Sequence, residues 1–475
     1  MQLEPQQPDS PAPVDGETVG VIVPRPLKGP LDYRVPEGMQ LARGDIVEVP
    51  LGRNGMSLGI VWGKGEGSLP PEKLKTVSRR FDAPPLRENL LAFTEWVANY
   101  ILASVGEVAN MVLRAPDALE PEPDRKAIRL GAHVPAKLTA ARERVMAVAA
   151  DGMARRLRDL CEEAGVTSEV VRGLVKLRAL EEVPLPPQKA AATPDPAFAG
   201  PALSTAQAAA AAHMIRAVNA KAFEVMLLDG VTGSGKTETY FEAVAAALLQ
   251  KRQALILLPE IALTVQFLDR FARRFGARPA EWHSDLTQAQ RRRVWRGVAA
   301  GDVHVVVGAR SALFLPFQDL GLVVVDEEHD TAFKQEEGII YNARDMSVVR
   351  ARMESCPVVL SSATPSLETW VNAGQGRYAR LQLTERHGTA KLPEATLINM
   401  REEETKAGEF LSPSLCEAIN ETLAQGEQAL LFLNRRGFAP LTLCKACGHK
   451  LGCPRCTSWL VEHRYRRRLV CHHCG

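Results

Sequence analysis

The stretch FEVMLLDGVTGSGKTETYFEAVAAALLQK, residues 223–251, decides the fold. It opens with a short apolar run of strand length and closes with a longer helical run. Between them stands Gly230-Val231-Thr232-Gly233-Ser234-Gly235-Lys236-Thr237, which fits GxxxxGK followed by Ser or Thr. Glycines let backbone amides turn inward around phosphate oxygens, and the helix N-terminus adds partial positive charge. In that setting Lys236 reaches the β- and γ-phosphates of ATP, and the Thr237 hydroxyl is placed to bind Mg2+. The strand before and the helix after supply the context that a chance glycine-rich turn lacks.

Outward from this loop, short β-branched runs alternate with helical patterns: ALILLPE, VHVVVG, LVVVDEE and CPVVLSS. Buried runs of that kind belong to a parallel sheet covered by helices on both faces. LVVVDEEHD (322–330) puts acids at the C-terminal end of one strand. Asp326 is expected to hold Mg2+, directly or through water, and Glu327 to orient and deprotonate an attacking water. Asp-Glu-x-His, ending at His329, together with the phosphate loop resembles the signature of superfamily 2 helicases and translocases. LSTAQ (203–207) precedes the first strand, and Gln207 resembles the adenine-reading glutamine of that class. PEIALT (259–264), GARSALF (308–314) and SSATPS (361–366) fall at strand ends, where they can touch a nucleic-acid backbone or relay the nucleotide state.

The rest of the chain is organised around this lobe. Its 475 residues suggest about three domains at ~150 residues each. Hydrophobic residues make up 46% and charged residues 24%, a composition that buries cores and excludes a disordered chain. The net charge of +2 does not announce a nucleic-acid binder, so any DNA surface is local. No apolar run approaches the ~18 residues of a membrane span. The acidic, Pro-rich start lacks the features of a signal peptide, and the expected location is cytoplasmic, with no membrane partner.

The expected fold class is multidomain α/β. Residues 1–17 read as a disordered tail and 18–114 as a small β-rich domain with following helices. Residues 125–185 read as a winged-helix-like unit, with Gly165 in the turn and Thr167-Ser168 capping the next helix; a plain three-helix packing unit fits the same residues. A Pro- and Ala-rich linker follows at 186–202. A RecA-like lobe is expected over 203–400, the start of a second lobe over 401–443, and a cysteine module over 444–475.

GVTGSGKTE, LPEIALT, GARSALFLPF, DEEHDTAFKQEEG, YNARD, SSATPSLET and FLNRRGFAP, followed by CxxC pairs, closely resemble the PriA family of replication-restart DNA helicases. The resemblance runs from about residue 18 to the last residue, 475. It implies ATP-driven 3′→5′ unwinding at stalled or abandoned forks and the start of primosome assembly. It also implies forked and single-stranded DNA, single-stranded-DNA-binding protein and other primosome proteins as partners. By the same resemblance DTAFKQEEGIIYNARD (330–345) is an aromatic-rich loop coupling strand contact to hydrolysis. Phe333, Lys334, Gln335 and Tyr341 are its working residues, with Lys334 and Arg344 offsetting phosphate charge. The N-terminal pocket for a 3′ end maps onto Leu31, Asp32, Gly52 and Lys75; the family carries an aromatic where this chain has Leu31.

Nine cysteines occur, six of them arranged as Cys444-x2-Cys447-x5-Cys453-x2-Cys456-x14-Cys471-x2-Cys474. Each CxxC turn offers two thiolates, and two such pairs complete a tetrahedral Zn2+ site. The family carries four nested pairs. That pattern implies a complete site of Cys453, Cys456, Cys471 and Cys474 and a half site of Cys444 and Cys447. Two zincs are expected in a full-length chain and one here. The resemblance also implies a QxxGRxGR motif after the cysteines, which is absent from these residues, so the chain reads as ending before its second lobe is complete. Two other readings stay open on the residues alone. One is a different DExH translocase; the other is a non-enzymatic fragment that binds forked DNA.

Overall fold

A computed structural model describes residues 18–67, 70–120, 126–133, 135, 138–185, 188–259, 265–336, 338–385, 394–400, 402–403, 411–432, 449–454, 460–463 and 468–471. The chain forms two compact units, Met1–Ala390 and Lys391–Gly475.

The first unit opens with β1 (Thr18–Ile22), β2 (Leu31–Arg34), β3 (Ile46–Leu51), β4 (Gly55–Lys64) and β5 (Arg79–Arg80), in the order β2-β1-β4-β3-β5. Alternation turns Val19, Val21, Tyr33, Val47, Val49 and Val61 into one core. Segment 75–78 bridges β2 and β3. It exchanges Arg34 N→Lys75 O (2.9 Å) and Val77 N→Arg34 O (3.0 Å) with β2, and Ser78 N donates to Glu48 O of β3 at 2.9 Å.

Two helices follow, α1 (Glu88–Ile101) and α2 (Val105–Val112), the second started by a Ser104/Glu107 capping box. Gly106 allows α2 to lie against the loop after β1, because a Cβ there would stand 2.2 Å from the Arg25 carbonyl oxygen. These helices share a core with the nucleotide lobe: Leu90, Phe93, Val97, Val108 and Val112 cluster with Trp295, Val298, Phe314 and Phe317. Side chains of this size each contribute about 1.5–3 kcal/mol when fully buried.

Next come β6 (Lys126–Leu130), α3 (Ala140–Ala149), α4 (Leu157–Ala164), α5 (Ser168–Lys176) and β7 (Leu180–Pro184), with β6 and β7 antiparallel. They bury their own small core around Val145, Leu160, Val171 and Leu174. Gly165 is left-handed at the end of α4, as a turn glycine should be. Thr167 is the N-cap of α5, but its side chain makes no capping bond.

The lobe itself begins at α6 (Thr205–Ala220), capped by Ser204. β8 (Val225–Gly230), α7 (Lys236–Leu249), β9 (Gln253–Leu257), α8 (Val265–Phe275), β10 (Ala280–Trp282), α9 (Gln288–Ala300), β11 (Val305–Gly308) and β12 (Leu320–Asp326) follow. A small ribbon of β13 (Lys334–Gln335) and β14 (Tyr341–Asn342) leads into α10 (Ala343–Met353). β15 (Val358–Ser362), α11 (Leu367–Gly374) and β16 (Ala379–Leu383) complete it. The seven strands of the lobe's main sheet are parallel, in the order β10-β11-β9-β12-β15-β8-β16. This is the expected helix-covered parallel sheet, and its functional loops gather at the strands' C-terminal ends.

In the second unit the described residues include α12 (Pro413–Ala424), capped by Ser412, and a hairpin of β17 (Leu460–His463) with β18 (Arg468–Cys471). Among the described residues no helix is long and apolar enough to cross a membrane.

Candidate nucleotide and DNA sites

The phosphate loop joins β8 to α7 as the sequence requires. Gly233 and Gly235 have φ of 81° and 79°, a backbone region open to glycine. Lys236 is 8% exposed and donates from Nζ to the Gly230 carbonyl at 2.8 Å. Ser234 Oγ is buried without a partner among the described residues, and a Cβ on Gly230 would stand 2.5 Å from it. An orphan hydroxyl, a buried ammonium and a glycine-lined turn fit a phosphate group. Gln207 differs from the simple adenine-reading expectation. Its Oε1 accepts from Ser204 N at 2.8 Å and its Nε2 donates to Ser234 O at 2.7 Å. The side chain thus fastens the cap of α6 to the phosphate loop, which leaves one amide hydrogen and one lone pair of Oε1 for a base.

The acids sit at the end of β12, separated from β8 in the sheet by β15. Asp326 is 8% exposed and held from three directions. Tyr240 Oη donates to its Oδ2 at 2.9 Å; Ser361 Oγ (2.7 Å) and the Glu327 amide (3.1 Å) donate to its Oδ1. Thr237 is the second residue of α7 and is nearly buried beside Lys236. Glu327 adopts φ 50°, a left-handed conformation that costs about 1–3 kcal/mol for a non-glycine residue and recurs at working sites. Burial and the neighbouring Asp326 carboxylate raise its pKa above the ordinary glutamate value, while Lys236 and His329 pull it back. A raised pKa makes a carboxylate a better base near neutrality. His329 Nδ1 lies 2.8 Å from Ser362 Oγ and 3.6 Å from Glu327 Oε2. The end of β15 therefore touches the acidic turn twice, Ser361 at Asp326 and Ser362 at His329.

Sequence reading missed Glu328. It is 1% exposed and accepts from Ser366 N (2.7 Å), Ser366 Oγ (3.0 Å) and Thr369 Oγ1 (2.9 Å), with Arg344 at 3.4 Å. It ties the acidic turn to the SSATPS turn and to α10. Position three of Asp-Glu-x-His carries no fixed chemistry in the motif, so only the fold reveals it.

At the N-terminal sheet, Leu31 and Tyr33 face the core, and Asp32 faces the other way. Asp32 is 6% exposed and its Oδ1 accepts from Glu66 N at 3.0 Å. Gly52 and Lys75 come together, Lys75 Nζ bonding the Gly52 carbonyl, close to where Tyr33 Oη meets Pro50 O at 3.1 Å.

Residues 20–114 match the family model of the PriA 3′DNA-binding domain, 204–372 the DEAD/DEAH box helicase model, and 453–475 the PriA DNA helicase Cys-rich region. Replication restart protein PriA of Rickettsia felis is 38% identical over 458 residues, covering 96% of this chain and 59% of that protein. The Haemophilus influenzae protein of that name is 33% identical over 476 residues, covering 96% and 64%. That of Bacillus subtilis is 45% identical over 253 residues, covering 53% and 31%. Over 96% of its length the chain is similar to the Rickettsia and Haemophilus PriA proteins. It spans about three-fifths of the length of the Rickettsia and Haemophilus relatives. Among solved structures, RecG bound to a three-way DNA junction matches 41% of this chain and 25% of its own at 20% identity, with a TM-score of 0.32.

The PriA-type aromatic-rich loop is not arranged as its composition suggests. Phe333 and Tyr341 are 1% and 3% exposed, Tyr341 edge-on to Phe314 at 5.5 Å. Neither ring presents a face on which a base could stack. The ribbon pairing Lys334↔Asn342 and Gln335↔Tyr341 turns both aromatics into the core. Arg344 is likewise no phosphate contact: it is 8% exposed and paired with Glu328, Asp345 (2.8 Å) and Glu368 (3.9 Å). Lys334 and Ile340 are exposed, as are Thr331, Glu336, Gly338 and Asp345, and Gln335 is half-buried.

Of the PriA cysteine module, Cys444, Cys447, Cys456 and Cys474 lie outside the described residues. Cys453 is half-buried, and Cys471 ends β18. Among the described residues no group of three metal-ligating side chains gathers, so support for zinc comes from the CxxC spacing and the Cys-rich-region match.

Proposed function

We propose that this chain is the DNA-end-recognising and ATP-binding part of a 3′→5′ replication-restart helicase, acting on stalled or abandoned forks and beginning primosome assembly. The observation that carries the proposal is the double contact of β15 with the acidic turn, Ser361 on Asp326 and Ser362 beside His329. A strand end that holds both Asp326 and His329 of this turn can pass the nucleotide state to the DNA-facing loops.

In this reading Lys236 offsets charge on the γ-phosphoryl group, while Thr237 and Asp326 would hold Mg2+, which would supply further positive charge against the phosphates. Glu327 takes the proton of the attacking water as the bond between the β- and γ-phosphates breaks. Arginines from the remaining length that the relatives carry would close the site. Asp32, Gly52 and Lys75 serve the 3′ end, and Cys453, Cys456, Cys471 and Cys474 hold one Zn2+. Single-stranded-DNA-binding protein and primosome proteins are the proposed partners.

The test is equilibrium binding of this chain to forks with a free 3′-hydroxyl or a 3′-phosphate. A preference for the free end that Asp32→Ala abolishes supports the reading. Equal affinity for both ends contradicts end recognition, and no fork binding contradicts the whole proposal.

A further inference from the structure

Tyr240 follows Thr237 and Lys236 on α7 at helical spacing, so the three side chains share one face of the helix. Its ring has no solvent exposure. It meets Phe241 edge-on at 5.3 Å, and Phe241 is packed in turn by Phe267 (5.9 Å), Phe271 (5.5 Å) and Phe275 (5.6 Å). Leu228 of β8 and Val324 of β12, the strands that end in the phosphate loop and in the acids, belong to the same core. A phenylalanine would fill this space without bringing a polar atom into it. A buried hydroxyl is costly unless it finds a partner, and this one finds Asp326.

The carboxylate it meets is nearly saturated. An ionised carboxylate has about four lone-pair sites, shared equally by its two oxygens. Oδ1 accepts from Ser361 Oγ at 2.7 Å and from the Glu327 amide at 3.1 Å, which fills it. Oδ2 accepts from Tyr240 Oη at 2.9 Å, and among the described residues no other donor reaches it. The lone pair that remains is on the oxygen the phenol holds.

The phenol also meets the other side of the site. The Thr237 hydroxyl and the Asp326 carboxylate both act on it. Tyr240 thus stands between the two residues that would share Mg2+, one on α7 and one at the end of β12.

We propose that Tyr240 is a positioning residue for Mg2+: its hydroxyl spans from α7 to β12, fixes the Asp326 carboxylate and leaves a single lone pair of Oδ2 for the metal or its water. The inference rests on the nucleotide-binding reading above and deepens it. The bond joins residues 86 positions apart and is made without the metal. The placement of Asp326 relative to Thr237 is therefore set before nucleotide arrives. Hydrogen-bonding partners behind a metal ligand act in this way, orienting it without touching the metal.

The experiment is a titration of this chain with fluorescent ADP, in excess chelator and at rising Mg2+. It compares the unaltered chain, Tyr240→Phe, Asp326→Asn and the double variant. In the unaltered chain Mg2+ is expected to tighten ADP binding. Tyr240→Phe is expected to raise the Mg2+ concentration at the midpoint of that gain by about 10–100-fold, the range for losing a group that orients a metal ligand. Its ADP affinity in chelator should stay that of the unaltered chain, because the phenylalanine ring keeps the packing. On the Asp326→Asn background the same change should move the midpoint little further, because the phenol acts through that carboxylate.

An unchanged Mg2+ midpoint in Tyr240→Phe would overturn the inference, as would an equal shift on the Asp326→Asn background. A loss of ADP affinity in chelator as large as the loss in Mg2+ would reduce Tyr240 to a packing residue and overturn it as well. ADP binding that ignores Mg2+ in the unaltered chain would sink the assignment of Thr237 and Asp326 to the metal. Failure of the unaltered chain to bind ADP at all would sink the nucleotide reading itself.

Discussion

Replacing Glu328 with alanine tests the internal wiring of the nucleotide lobe. The carboxylate receives three hydrogen bonds of 2.7–3.0 Å from Ser366 and Thr369 and faces Arg344 at 3.4 Å. Bonds to a charged partner contribute about 1.5–3 kcal/mol each, less when the freed hydroxyls find other acceptors. Arg344 keeps Asp345 at 2.8 Å, which spares it the full cost of a stranded charge. The net loss should be about 3–5 kcal/mol, in the range for breaking a buried charged network. At about 2–4 °C per kcal/mol for a lobe of this size, melting should fall by roughly 10 °C. Differential scanning calorimetry of the variant and of Glu328→Gln, which keeps one acceptor oxygen, measures this. We expect the glutamine form to melt between the other two. Unchanged melting in Glu328→Ala would refute the reasoning, since a 1%-exposed carboxylate with four donors cannot be energetically silent.

Three further outcomes are expected. Glu327 has a raised pKa, so its ionised form opposes folding above that pKa. Glu327→Gln should therefore be more stable than the parent at neutral pH, and the gain should vanish as pH falls through the unfolded-state glutamate value; thermal melts across that window decide it. Phe93→Ala removes a fully buried ring set 5.4 Å from Phe314 and under the Arg350 guanidinium, so it should cost about 3–5 kcal/mol and loosen α1 from the nucleotide lobe, visible as faster amide exchange in both. Elemental analysis should find about one zinc per chain, released by Cys453→Ser or Cys471→Ser and little affected by Cys444→Ser; release by Cys444→Ser would mean the pairs are matched differently.

The sequence made local chemistry legible. Glycines with positive φ, a lysine at a helix start and acids after an apolar strand are bound to their function by spacing alone. What it concealed was long-range. Tyr240 stands 86 positions from the Asp326 it bonds, and Trp295 stands 183 from the Val112 carbonyl it anchors. Nothing in the N-terminal segment announced that α1 and α2 would share a core with the lobe, because amphipathic helices do not name their partners. The aromatic loop misled for another reason. Phe333 and Tyr341 are as compatible with stacking on bases as with burial, and the ribbon register decides for burial.

The most direct measurement of the central claim is ATP hydrolysis by protein carrying this chain together with the remaining length its relatives have. Rates are compared with and without forked DNA, for the parent, Lys236→Ala and Glu327→Gln. The account predicts hydrolysis that DNA stimulates in the parent. It predicts none in Lys236→Ala, and a fall of about two to four orders of magnitude in Glu327→Gln with Mg·ADP affinity retained. Hydrolysis that survives in Lys236→Ala, or that ignores DNA in the parent, would contradict it.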